Sequence, residues 1–462
     1  MPRSVCWIGL RNLLFSAWTW LIVFGMPTVG TAAEWPQFRG TNANGAAESD
    51  FPQTWDRATN VRWKVAVPGE GWSGPIVWGD RVFVTAAVRA DGDGATRPER
   101  AQGGGRRADL VNANYHWDVL CFKLGTGELL WRKTAHAGQP PQPRHTSNTY
   151  ATETPTTDGE RVYAYFGMVG VYCYDMNGEL IWQKELGNYP MQAGWGTSSS
   201  PTLFGGKLFV QVDNERESFL VALDGRTGKE LWRVAREESS QYSTPIIWQN
   251  SQRAELIAGG KIYRSYDPET GRLLWQLNMQ KGRSSATALA SGDRLYVGTE
   301  ERNRGGEDDG GGYLFAIKPG GSGDISPPGD ATQSEFVEWK ISRSGLQMAS
   351  PVLCAGHLYL LDRRSGILHC VHAETGQTAY RTRIPNSRAF WSSPWTQGDR
   401  VYCLDDDGNT HILAGGPELH VLAINALQEH TWSTPAIAQG ALLLRTVEHL
   451  YCISANVPPK NH

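Results

Sequence analysis

The chain has 462 residues, with 44 Lys and Arg set against 47 Asp and Glu, for a formal net charge of −3. This mildly acidic balance, with no basic cluster, excludes nucleic acid and anionic membrane surfaces as expected partners. Glycine (52) and tryptophan (19) are abundant and long helical periodicity is missing, so the short strand-like runs between turn signals predict an all-β protein.

Arg3 and Arg11 precede or border an apolar run over 13–26, and Thr31, Ala32 and Ala33 follow as small residues. That order is the signature of a secretory signal peptide, predicted over residues 1–33. The run is shorter than the roughly 20 residues a spanning helix needs, and no later stretch is long enough to cross a bilayer. Cleavage leaves 429 residues with a net charge of −5 and an exported protein, periplasmic or extracellular. Retention as an N-terminal anchor is the alternative. Cys6 precedes the apolar core, so it cannot be the lipid-bearing first residue of a mature lipoprotein. Residues 34–60 form an N-terminal arm, opening with WPQFRG at 35–40, ahead of the strand-like run VRWKVAV at 61–67.

From there the chain repeats itself. Units open on Ser or Thr near Pro: WSGP (72–75), TETP (152–155), TSSSP (197–201), YSTP (242–245), MASP (348–351), WSSP (391–394) and WSTP (432–435). The segment SSATALASGDRLYVG at 284–298 fills the long interval before MASP, with Thr287 read in the place of Pro. Each opening leads into a short strand, a Gly-Asp or Gly-Gly turn, two further strands, then a Thr-Gly or Asn-Gly turn and a fourth strand. TGELLWR (126–132), NGELIWQ (177–183), TGKELWR (227–233) and TGRLLWQ (270–276) are four copies of that close. Cleanly spaced openings recur every 41–46 residues, the length of one four-stranded propeller blade.

Eight openings predict an eight-bladed β-propeller over 61–454, with 455–462 as a C-terminal tail. The last unit, 432–454, holds three strands. The run at 61–67 is the predicted fourth, an N-terminal strand that completes the last blade and removes the edges an open ring would expose.

The phrase ALDGRTGKELW (222–232) resembles the tryptophan-docking motif of pyrroloquinoline-quinone-like repeats. That superfamily includes quinoprotein alcohol dehydrogenases and the BamB-type factors that assist outer-membrane protein assembly. The resemblance covers nearly all of 61–454 and implies the propeller fold. WPQFRG and the long insertions resemble a secreted bacterial branch of these propellers. Quinoprotein alcohol dehydrogenases carry an adjacent Cys-Cys pair against their quinone, and this chain has none. It also has no C-x-x-C-H, so covalent c-type haem is excluded. Pyrroloquinoline quinone with calcium is therefore kept only as an alternative cofactor.

Physical chemistry gives the repeated close its job. The turn glycine supplies a backbone conformation that residues with Cβ resist, and the ring that follows can lie flat between blades. The docking candidates are Trp63, Trp131, Trp182, Trp232, Trp275 and Trp339, with Tyr380 standing in for the sixth blade. The seventh blade, GGPELHVLAIN at 415–425, has no aromatic there, so its junction is expected to be weaker. Cys121, Cys173, Cys370 and Cys452 fall in the slot that Ala222 fills. Equivalent slots on different blades are too far apart for a disulfide, and buried thiols are expected. No bond is assigned between Cys354 and Cys403.

DDDGN at 405–409 reads as a hairpin turn in preference to a calcium loop. The charged loop EERNRGGEDDGGG at 300–312 reads as solvated. His369 and His372 are three apart on a strand and point to opposite faces, so no metal site is assigned.

Long segments at 88–115, 133–150, 183–197 and 300–312 share one predicted face, and only 319–335 is long on the other. Residues 89–109 are polar and of low complexity, whereas 135–150 combines prolines with His136, Arg144, His145 and Tyr150. Trp72, Tyr150, Trp195, Tyr242, Trp391 and Trp432 stand just before the innermost strands, around the expected channel mouth. His145, Gln347 and Arg388 are placed beside them. Such a funnel suits a flat or extended apolar ligand, a sugar or a peptide segment. The plainer reading is that these rings pack the tops of adjacent blades.

The expected function is a secreted, monomeric, non-catalytic binding or scaffolding propeller that takes a protein or small-molecule ligand on its long-loop face. A quinone- or metal-dependent oxidoreductase using the same funnel is one alternative, and an assembly factor of the BamB kind is another.

Overall fold

The computed structural model describes residues 33–92, 113–280, 282–300, 312–343, 346–363 and 365–455. Most of the expected signal peptide (1–32), of the low-complexity insertion (93–112) and of the charged loop (301–311) lies outside the described residues, as does the tail from 456. Within them the chain forms eight antiparallel sheets taken up in sequence order, an eight-bladed β-propeller with a single 3-10 turn at Gln192–Gly194. No described helix is long and apolar enough to cross a membrane.

The third blade shows why the repeat folds this way. Its strands are Thr202–Phe204, Lys207–Val212, Ser218–Asp224 and Glu230–Arg236. The second and third strands are almost wholly buried, because both of their faces meet neighbouring blades, and they read as continuous apolar runs. The fourth alternates between exposed and half-buried residues, as a strand at the rim must. Ring closure follows the expected route. Val61–Ala66 pairs antiparallel with His449–Ser454, Val61 opposite Ile453 and Trp63 opposite Cys452. Glu429 clips this join: it accepts from Lys64 Nζ (2.7 Å), Thr446 Oγ1 (2.7 Å), His449 Nδ1 (2.9 Å) and the Tyr451 hydroxyl.

The repeated close has a common geometry. In all eight blades the pairing of third with fourth strand slips by one residue at the same place, a β-bulge. The small-residue slot lies directly opposite the ring: Cys121 faces Trp131, Cys173 faces Trp182, Ala222 faces Trp232 and Cys370 faces Tyr380. The six described cysteines are all buried and none forms a disulfide.

Each ring then meets the next blade. Trp63, Trp131, Trp182, Trp232 and Trp339 donate their indole N–H to the carbonyls of Leu124, Met176, Gly225, Pro268 and Ala373. Beneath them lie Gly127, Gly178, Gly228, Gly271 and Gly376, all with φ between +70° and +84°, where a Cβ would come within 2.6–2.8 Å of the indole. Two positions differ from this pattern. The Trp275 indole donates within its own blade to Glu255 Oε2 (2.6 Å), and Gly321 of an inserted loop lies on its face. Tyr380 packs in the cluster between blades 6 and 7, but its hydroxyl is buried without a hydrogen bond.

The Ser/Thr–Pro openings form a belt around the channel. The backbone N–H groups of Gly74, Thr154, Ser200, Thr244, Thr287, Ser350 and Ser393 each donate to a hydroxyl one blade on. The acceptors are Thr154, Ser200, Thr244, Thr287, Ser350, Ser393 and Thr434, at 2.9–3.1 Å. Thr287 therefore occupies the hydroxyl place and Ala288 the proline place, one residue off the register expected from sequence. The eighth junction lacks this bond because Gly74 has no hydroxyl, and a Cβ there would lie 2.8 Å from the Thr434 carbonyl. Instead Ser433 Oγ donates to Ser73 O (3.1 Å), and the buried Arg445 donates through Nη1 to Thr85 O (2.7 Å).

Residues 33–60 lie against the inner strands of well-separated blades. Trp35 bridges to Val77 of blade 1, and Pro36 O accepts from Thr157 N of blade 2. Ala43 packs in the core between blades 4 and 5. Arg39 Nη2 donates to Pro351 O of blade 6, and Ala46–Ala47 pairs parallel with the first strand of blade 7. These contacts on opposite sides of the ring carry the arm across the axis, on the face of the Gly-Asp turns. The long loop on that same face, 319–335, runs to the outside of blade 4 and adds Gly323–Asp324 as a fifth, parallel strand.

Candidate functional site

The other face carries the blade-to-blade connectors and the channel mouth. The six aromatic candidates do not form one open circle. Trp72, Tyr150 and Tyr242 are buried, whereas Trp195, Trp391 and Trp432 are half-buried. They group into two clusters and a single ring.

The first cluster spans blades 7, 8 and 1. Trp391 stacks on Trp432 with ring centroids 3.7 Å apart and planes 12° from parallel, and Trp432 stacks on Trp72 at 5.5 Å and 23°. These three residues hold the same place in three consecutive openings, so the belt sets their indoles side by side. His430 meets the edges of Trp72 and Trp432, and its Nδ1 lies 2.6 Å from Asp406 O. The Trp72 indole N–H donates to Ser147 O (2.9 Å). Arg363 covers Trp391 at 5.4 Å. Arg388 is exposed three residues before Trp391, with Nε 3.1 Å from Asp407 Oδ2. Gln347 donates to Asp362 Oδ2 (2.9 Å), next to Arg363 in sequence. Gln347 and Arg388 therefore stand at the blade 6 side of the ladder, and each already has a carboxylate partner.

The second cluster spans blades 3 to 5. Trp195 and Tyr242 lie 6.4 Å apart, and the Arg283 guanidinium covers both, at 4.3 and 5.0 Å. Arg283 also pairs with Glu300 (3.0 Å). The single ring, Tyr150, is buried under Arg144 (4.9 Å), whose Nη2 pairs with the buried Glu70 (2.6 Å). His145 turns away to Ser147 Oγ (2.7 Å).

Sequence reasoning missed the arginine–carboxylate pairs Arg144–Glu70, Arg283–Glu300 and Arg236–Asp213, which join residues far apart in the chain. It also passed over Glu153. Seven blades place Ser or Ala two residues before the proline position, and blade 2 places this glutamate. Its carboxyl is buried beside Thr197 and Gly167, and burial pushes it up to about 7. A small cavity between blades 2 and 3 adjoins it, lined by Tyr165, Tyr189, Met191, Ser198, Gln211 and Asp213. DDDGN is the expected hairpin turn: Asp405 Oδ1 accepts the N–H groups of Asp407 (3.1 Å) and Asn409 (2.9 Å). Among the described residues no group of three or more His, Cys, Asp or Glu could hold a metal ion.

The fold is an eight-bladed β-propeller, and its repeats are similar to those of pyrroloquinoline-quinone-like propellers. Residues 115–263 match a family model described as outer membrane protein assembly factor BamB. The chain is similar in structure to BamB from Moraxella catarrhalis, with TM-score 0.52 and 13% identity over 82% of this chain and 98% of that one. It is also similar to quinohemoprotein alcohol dehydrogenase from Comamonas testosteroni, with TM-score 0.57 and 12% identity over 93% and 82% of the two chains. In sequence it is 25% identical over 281 residues to 1-butanol dehydrogenase (cytochrome c) from Thauera butanivorans, covering 55% of this chain and 36% of that enzyme. The chain spans about a third or less of the length of the curated relatives it matches.

Proposed function

We propose that this protein is an exported, non-catalytic binding propeller that takes its ligand on the Trp391–Trp432–Trp72 ladder of the long-loop face. The observation that supports this reading is the ladder itself. Two half-buried indoles are held parallel by the belt, and the cations of Arg363 and Arg388 stand at one end. Stacked indoles flanked by hydrogen-bonding charges suit the flat faces of sugar rings or planar side chains.

Against a quinone held with calcium stand three carboxylates near the mouth, Glu70, Asp213 and Glu300, each closed by an arginine, and cysteines that lie buried and apart from one another in sequence. The relationship to the butanol dehydrogenase still makes the oxidoreductase reading the one to test against. The BamB-type model match favours a third reading, partner binding in envelope assembly.

Intrinsic fluorescence decides between them. Titration with soluble oligosaccharides should quench or shift the emission of the native chain and leave Trp391→Ala unchanged. Saturable binding of pyrroloquinoline quinone with calcium, accompanied by dye-linked alcohol oxidation, would overturn the reading. Co-purification with an outer-membrane assembly complex would favour the third.

A further inference from the structure

The rim of blades 1 to 3 carries a second, independent surface, and blade 4 shows what covers it. The four outer strands are Leu129–Gly138, Leu180–Lys184, Glu230–Arg236 and Leu273–Asn278. The residue before the ring is Leu130, Ile181, Leu231 and Leu274 in turn. The first three are 38%, 44% and 44% exposed, whereas Leu274 is 7% exposed. Two residues beyond the ring the contrast repeats: Lys133 and Val234 are half-buried, and Leu277 is fully buried.

The difference is the chain's own fifth strand. Gly323 pairs with Trp275 and Asp324 with Gln276 in parallel, and Ile325 N donates to Gln276 O (2.9 Å). Gly321 lies on the Trp275 ring, and Ile325 is buried over the blade 4 core. A small, an acidic and a branched apolar residue in succession thus occupy a rim of this repeat. Blades 1 to 3 present the same bulge, the same ring and an exposed Leu or Ile just before it, on an edge that no fifth strand covers among the described residues. An unpaired strand edge with exposed Leu and Ile is a template for another strand.

We propose that the outer strands of blades 1 and 3 bind an extended peptide segment of a partner protein as a parallel fifth strand. The segment has the small–acidic–branched apolar pattern of Gly323–Asp324–Ile325. Charge sets the preference. Where blade 4 places Gln276 opposite Asp324, blades 1 and 3 place Arg132 and Arg233, and blade 2 places Gln183. Both guanidiniums already pair within their own blades, Arg132 with the buried Asp118 (2.6 Å) and Arg233 with Glu230 (2.8 Å). An acidic residue of the incoming strand shares their remaining, partly exposed N–H groups. Main-chain bonds give the affinity, and the pocket for the branched side chain gives the selectivity, as in other strand-addition complexes.

The test uses the full chain and a fluorescein-labelled synthetic peptide, GGSGDISP. Its anisotropy should rise saturably at peptide-to-protein affinities tighter than about 1 mM. Hydrogen exchange should slow in 129–134 and 230–235 when unlabelled peptide is added. Asp→Lys in the peptide, or Leu130→Asp with Leu231→Asp in the protein, should weaken binding about tenfold while the melting temperature holds. Three results would overturn the proposal. They are no binding at millimolar peptide, binding that the paired Leu substitutions leave intact, and protection of those segments by self-association at rising protein concentration without peptide.

Discussion

Removing one hydroxyl from the belt is the sharpest test of how the ring is held. Ser350 is buried, and its Oγ accepts the Thr287 N–H at 3.0 Å, joining blade 5 to blade 6. Ser350→Ala leaves that N–H without an acceptor in a place water cannot reach, which costs about 1–3 kcal/mol. Unfolding entropy near 2.1 cal/mol/K per residue, over the compact unit 33–462, gives about 0.9 kcal/mol/K. A loss of about 2 kcal/mol therefore lowers the melting temperature by about 2 °C. Ser350→Thr keeps the hydroxyl, and threonine already stands at this place in four other blades, so it should melt within about 0.5 °C of the native chain. Differential scanning calorimetry gives the shift, and hydrogen exchange at the Thr287 amide gives its location. Equal melting of the Ala and Thr variants, with Thr287 exchange unchanged in both, would refute the belt as a stabilising element.

Other outcomes follow from the same contacts. Trp232→Ala removes a ring lying between blades and should cost about 3 kcal/mol, whereas Trp391→Ala removes one stacked partner at the mouth and should cost about 1 kcal/mol; thermal melts of the two variants check the order. Glu153 has a folded pKa raised to about 7 from 4.5, so the native state holds its proton longer than the unfolded chain does. Its contribution to stability is lost as pH rises from about 4.5 through 7, on the order of 3 kcal/mol, and Glu153→Gln should remove that slope in denaturant titrations between pH 5 and 8. Glu429 is the opposite case. The Lys64 ammonium and three hydrogen-bond donors hold it down to about 2, against the opposing effect of burial. Its contribution is present above about 4.5 and lost as pH falls toward 2, so Glu429→Gln should shift acid unfolding less steeply with pH than the native chain.

The blade count, the closing strand and the ring-on-glycine turns were legible because each repeats, and repetition exposes spacing. Three other features were not, for identifiable reasons. The belt needs register to one residue, and the missing proline of blade 5 moved Thr287 out of its true place. Trp275 departs from its siblings because Glu255, unique to blade 4 at that position, reaches its indole and because a loop from the next blade covers it. The mouth was read as one funnel since its aromatic residues share a sequence position. Their separation into clusters depends on Arg283 over Trp195 and Tyr242 and on Arg363 over Trp391, contacts between separate blades that carry no local signal. WPQFRG reads as part of an arm, but its course across the axis depends on contacts to blades 1, 2 and 6 that no spacing encodes.

Closure between the two ends of the polypeptide also sets a schedule for biosynthesis. Arg62 Nη2 reaches Ser454 Oγ across a separation of 392 residues. At about 5–20 residues per second, the earliest strand leaves the ribosome some 20–80 s before its mate exists. For that interval VRWKVA has no partner strand, and a chain that stops before His449–Ser454 leaves it unpaired permanently. The ring therefore closes only when the last strand arrives, and the pairing state of one hexapeptide near the start reports whether it has.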